Sequence, residues 1–271
     1  MQVIIVEDEP VSLTVLRQIV EKLPDCRVQG FTEACTALTW CRRNEPDLVI
    51  VGYMMPELNG IEFTEHFRRL PGKADTPVLM VTASTDREVR NSAFENGVND
   101  FLNKPYDSVE LQARVSNMLV LRSKQASLAK RAAFRPDDAS KRGASGSHAQ
   151  PVGADRLLDL EITLKRLADD ETLLGQVARV FVRTVPQLLH EISSALAKND
   201  SERAYAEAHS LKGAVAVFEA PQVLSAIVTL ETHATNYNAA AAATAFEAAQ
   251  ALVQRLSAEL ELLTPPNAKS H

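Results

Sequence analysis

The chain has 271 residues, of which 45% are hydrophobic and 24% charged, with a formal net charge of −6. That length suits two domains of ordinary size, and the negative balance speaks against nucleic acid as a partner. No apolar run nears the roughly 20 residues that span a bilayer, and Met1-Gln2-Val3-Ile4-Ile5-Val6 passes straight into Glu7-Asp8-Glu9, so a cytoplasmic protein without a leader or membrane contact is expected.

Val3-Ile4-Ile5-Val6, Leu48-Val49-Ile50-Val51 and Val78-Leu79-Met80-Val81 are continuous apolar runs, as strands buried on both faces require. Arg27-Val28-Gln29-Gly30-Phe31 and Asp100-Phe101-Leu102 are weaker strand signals in the two remaining slots. Between them fall amphipathic stretches carrying Leu13, Leu16, Ile19, Val20 and Leu23, then Ala34, Leu38 and Cys41, then Ile61, Phe67 and Leu70. A fourth starts near Arg87 and stops at Asn96-Gly97, and Asp107-Ser108-Val109-Glu110 has the spacing of a capping box for a fifth. Five βα units over residues 1–122 predict an α/β doubly wound, five-stranded parallel sheet. Cys26, Cys35 and Cys41 lack paired spacing and read as reduced thiols.

Helical periodicity fades after Ala126, and residues 123–155 read as a helix extension followed by a flexible linker around Arg135-Pro136-Asp137-Asp138 and Gly143-Ala144-Ser145-Gly146-Ser147. The basic stretch 124–142 is best explained as a solvated helix end and linker. Residues 156–264 carry helical spacing over 157–167, 171–198, 201–218, 221–237 and 239–263, which predicts an all-α helical bundle tethered to the first domain rather than fused with it. Pro186 should kink the second of these helices, and 265–271 form a tail.

Ligands of doubly wound sheets sit at the carboxyl ends of the strands, where this chain places Glu7-Asp8, Gly52, Thr82 and Lys104-Pro105. The run Pro46-Asp47-Leu48-Val49-Ile50-Val51-Gly52-Tyr53-Met54-Met55-Pro56-Glu57-Leu58-Asn59-Gly60 resembles the third strand and following loop of a response-regulator receiver domain, a flavodoxin-like fold. The resemblance implies that Glu7 and Asp8 and the backbone carbonyl of Met54 belong to a magnesium site, and that Thr82 and Lys104 contact phosphoryl oxygens. It also places Phe101 at the switch aromatic and a cis bond before Pro105. The family's acceptor aspartate falls at Gly52, which has no nucleophile. Asp47 cannot replace it, being about five residues away at the other end of the strand, roughly 16 Å off. Two carboxylates can hold magnesium only weakly. The surviving residues then either still bind a metal, anion or partner, or persist as scaffold.

Ala208-His209-Ser210-Leu211-Lys212-Gly213 resembles the phosphohistidine motif of a histidine-containing phosphotransfer (HPt) domain, and the resemblance implies an all-α four-helix bundle for the second domain. At about 100° per residue, Ala208, Leu211, Val215 and Phe218 form one stripe and His209 lies roughly 140° from it, facing solvent. Lys212 and Gly213 follow one turn on, a cation for the phosphoryl group and a gap for a docking receiver. Glu219-Ala220-Pro221 supplies the turn into the next helix. His66, His148, His190, His233 and His271 lack this context.

Together these features predict a phosphorelay protein with His209 as acceptor, sensor histidine kinases and partner receivers as its contacts, and a first domain serving as an interaction module. A carrier of this kind is not an enzyme in its own right, and no nucleophile–base pair supports hydrolase chemistry. The alternative is a scaffold or decoy that sequesters a kinase or receiver. A last receiver helix running past Leu121 could also pair with a second copy of the chain.

Overall fold

The computed structural model describes residues 1–83, 87–131, 157–236 and 238–263. Strands β1 (Gln2–Val6), β2 (Arg27–Phe31), β3 (Leu48–Gly52), β4 (Val78–Thr82) and β5 (Asp100–Asn103) alternate with helices α1 (Pro10–Glu21), α2 (Ala34–Cys41), α3 (Gly60–Arg68), α4 (Arg87–Glu95) and α5 (Ser108–Arg131). The strands form one parallel sheet in the order β2-β1-β3-β4-β5. The two-residue period sorts each strand between two cores. Val3, Ile5, Leu48, Ile50, Leu79 and Val81 face α1 and α5, while Ile4, Val6, Val49, Val51, Val78 and Met80 face α2, α3 and α4. Gly97 takes a positive φ of 92° just past α4, and Asp107 Oδ1 accepts from the backbone N–H of Val109 at 2.7 Å, opening α5 as its spacing predicted.

The second domain comprises α6 (Leu160–Arg166), α7 (Glu171–Ala197), α8 (Ser201–Ala216), α9 (Pro221–Thr235) and α10 (Ala239–Glu261). Helices α7 to α10 close into a ring in which each packs on the next and α10 returns to α7. Their starts are encoded locally: Asp159, Asp170, Asp200 and Asn238 each cap a helix by accepting from a backbone N–H in its first turn. Helix α7 continues as one helix through Pro186. Phe181 and Phe218 meet edge to face at 5.0 Å in the bundle core.

The interdomain segment and the tail from 265 lie outside the described residues, as do His148 and His271. The expectation of a merely tethered bundle is corrected. Helix α1 packs on α7 and α8, Lys22 Nζ lies 2.8 Å from Asp170 Oδ2, and the apolar cluster on the α1 side of the sheet runs on without a break into the bundle. Sequence periodicity finds the face a helix turns to its own domain. It does not find a second face that meets a neighbour.

Candidate functional site

The strand order reverses direction between β1 and β3, and the residues that end these strands and their neighbours converge there. Glu7 is buried, and its Oε1 accepts from Lys104 Nζ at 2.7 Å. The Lys104–Pro105 bond is cis. Burial works against the Lys104 ammonium, but Glu7 first, then Glu9 and Asp8, outweigh it and raise its pKa. Glu7 Oε2 is buried with no hydrogen-bond partner, and a Cβ built on Gly52 would lie 2.8 Å from it. The space a side chain at position 52 would use is thus taken by the Glu7 carboxylate.

Burial, then the neighbouring Glu7, push the Asp8 carboxyl up to about 6. Glu9 caps α1, accepting from the N–H groups of Val11 at 2.8 Å and Ser12 at 2.5 Å, yet burial still raises it to about 7. Met54 and Thr82 line the same pocket with Tyr53, Val81 and Ala83. Phe101 is buried, its ring edge-on to Phe94 at 4.8 Å. As they stand, Glu7 and Asp8 do not fit a magnesium site of the receiver kind. Among the described residues no group of three or more His, Cys, Asp or Glu side chains could hold a metal ion, and one oxygen of Glu7 is already committed to an ammonium.

The far wall of this pocket is the second domain. His209, Ser210 and Gly213 of α8 line it together with Glu7, Asp8, Gly52 and Lys104. Ser210 Oγ donates to Asp8 Oδ2 at 3.4 Å. A Cβ on Gly213 would sit 3.7 Å from Lys104 Nζ and 3.9 Å from Glu9 Cγ and Ser12 Oγ, so the bare backbone of α8 rests directly on the strand-end face. The expectation that His209 faces solvent is therefore corrected: 17% of its side chain is exposed. The helical wheel placed it rightly away from the bundle core, but that outward direction points at the first domain.

His209 Nδ1 is 3.0 Å from Oε1 of Glu231 on α9, and Lys212 Nζ donates to Glu231 Oε2 at 2.6 Å. Burial would raise the Glu231 carboxyl, but the bonds and charges of His209 and Lys212 hold it below the usual carboxylate range. An ionised acceptor at Nδ1 takes the proton there, and in the neutral ring that tautomer carries its lone pair on Nε2. Lys212 is held at Glu231, where the sequence reading had offered it to a phosphoryl group. Glu231 was missed, although it carried a signal: an acid in register with Ile227 and Ala234 on the buried stripe of α9.

The family described as "Response regulator receiver domain" matches residues 3–116, and that described as "Hpt domain" matches residues 176–261. Among curated relatives, the "Cyclic di-GMP phosphodiesterase response regulator RpfG" of Xanthomonas campestris is 39% identical over 133 residues, 49% of this chain and 35% of that protein. "Hybrid signal transduction histidine kinase D" of Dictyostelium discoideum is 32% identical over 44% of this chain and 8% of its own length. The chain thus spans about a third of the first relative and less than a tenth of the second. Among solved structures, a response regulator from Chloroflexus aurantiacus matches 44% of this chain and 97% of its own with 29% identity and a TM-score of 0.42. A sensor-kinase receiver domain from Pseudomonas aeruginosa, solved with magnesium in its cleft, matches with 26% identity, 44% and 96% coverage and a TM-score of 0.41. No helix of the described residues is long and apolar enough to cross a membrane. The chain is a two-component signalling protein that joins a response-regulator receiver domain to an Hpt domain.

Proposed function

We propose that His209 is the phosphoryl acceptor of a phosphorelay and that the receiver domain, with Gly52 where an acceptor aspartate would stand, serves as an interaction module that needs no phosphorylation. The observation that carries this reading is the Glu231 clamp, whose carboxylate 3.0 Å from Nδ1 orients the imidazole and leaves Nε2 as the nitrogen that attacks from the neutral ring. A partner receiver, phosphorylated on its own aspartate, presents the phosphoryl group with the magnesium ion of its own site. Nε2 attacks phosphorus in line as the bond to the aspartyl oxygen breaks, and the carboxylate leaves. Positive charge grows on the ring beside the Glu231 carboxylate, which stabilises it. Return of the group to a second receiver reverses these steps. His209 is a carrier here, and the chain performs no catalysis of its own; sensor histidine kinases and receivers are its partners, in the cytoplasm.

A second reading is favoured by the low exposure of His209: a scaffold or decoy that engages a kinase or receiver without passing phosphate on. Mixing the full chain with a phosphorylated receiver separates the two. Acid-labile label that appears on His209 and moves on to a second receiver supports the relay; label that never leaves, or never arrives, supports the decoy.

A further inference from the structure

We infer that the receiver domain is the resident occupant of the His209 face, docked there as a partner receiver would be, and that relay partners reach His209 only when it lets go. This rests on the reading of His209 as acceptor. The contact is built from both sides: Ser210 on Asp8, Gly213 over Lys104, Glu9 and Ser12, and Lys22 paired with Asp170 at the far end of α1. Beneath it the apolar cluster is continuous, with Val11 and Val15 of α1 joining Leu167, Leu173 and Leu174 of the bundle. A partner receiver needs this same face of α8, so both cannot bind at once. Gly52 makes the resident complex a dead end, because the position from which an acceptor carboxylate would draw a phosphoryl group off within the chain carries no side chain. The receiver domain then works as an intramolecular competitor, and the apparent affinity for a partner falls by the fraction of chains that are open.

The test is a wedge at Ser12, which is buried against the bundle and lies outside the His209 and Glu231 pair. Full-length Ser12→Arg is compared with the parent chain, and Lys22→Glu, which sets two acids face to face with Asp170, serves as a second variant. Three quantities are read: the radius of gyration by solution scattering, the rate of diethyl pyrocarbonate modification at His209 against His66 and His190, and label uptake from a receiver carrying a radioactive aspartyl phosphate. The expected result is a compact parent chain, expanded variants, and modification and uptake faster by about tenfold or more if a tenth or less of the parent chains are open. An extended parent chain overturns the inference, as does equal modification in parent and expanded variant. If the variants expand and His209 reacts faster with the reagent yet takes no label, docking stands and the relay reading fails.

Discussion

Replacing Gly52 by aspartate puts a carboxylate into space that Glu7 now fills. The new Cβ would start 2.8 Å from Glu7 Oε2, closer than carbon and oxygen pack, so the Glu7 carboxylate must swing aside and loosen its 2.7 Å bond to Lys104. Two carboxylates about 4 Å apart repel by about 4 kcal/mol at an effective dielectric of about 20, and partial relaxation of Glu7 leaves a cost of about 2–3 kcal/mol. For a chain of this size that lowers the melting temperature by roughly 5–10 °C. Magnesium should reverse the loss, since three carboxylates then surround one dication and the repulsion becomes ligation. The assay is a thermal melt of Gly52→Asp in chelator and in magnesium, followed by labelling with acetyl phosphate. A metal-dependent rise in midpoint is expected, with label on the introduced aspartate only when magnesium is present. A variant as stable as the parent in chelator and unmoved by magnesium would refute the placement of Glu7 in the vacated space.

Other outcomes follow from the same geometry. Glu231→Gln keeps the shape of the clamp but removes its charge, so uptake of label at His209 should slow by about tenfold or more, as expected when an orienting carboxylate is neutralised; a changed melting temperature with unchanged uptake would make Glu231 purely structural. The raised carboxyls of Asp8 (about 6) and Glu9 (about 7) bind protons more tightly folded than unfolded. Their contribution to stability is therefore full below about pH 4 and lost as pH rises through 6 to 7. Asp8→Asn should remove its share of that decline, leaving that of Glu9, and gain about 3 kcal/mol at pH 8 in urea unfolding, and an unchanged pH slope would contradict the buried assignment. His209→Gln should take no stable label from acetyl phosphate, since Gly52 leaves the receiver domain without a nucleophile; label on that variant would reveal another acceptor.

Much of this was legible in the chain because it depends on local pattern. Strands β1, β3 and β4 are continuous β-branched or apolar runs and could be nothing else between amphipathic helices. Strand β2 was faint because it is the edge strand and only partly buried. The bundle helices announce themselves through helical spacing, and α6, α7, α8 and α10 begin at an aspartate or asparagine cap. The strand-end residues Glu7, Asp8, Thr82 and Lys104 follow from fold and register together. What escaped was everything that needs two distant surfaces at once. Ser12, Lys22 and Asp8 meet Gly213, Asp170 and Ser210 by shape and charge that no periodicity encodes, so His209 was read as facing water. Glu231 escaped because a single acid on an apolar stripe looks like noise until its partners are known.

The most direct measurement is phosphotransfer to the intact chain from a receiver labelled on its aspartate, followed by mapping of the labelled residue. A single acid-labile, base-stable phosphate is expected on His209, absent from His209→Gln and passed to a second, unlabelled receiver. Undiminished label on His209→Gln would contradict the assignment of His209 as the phosphoryl acceptor.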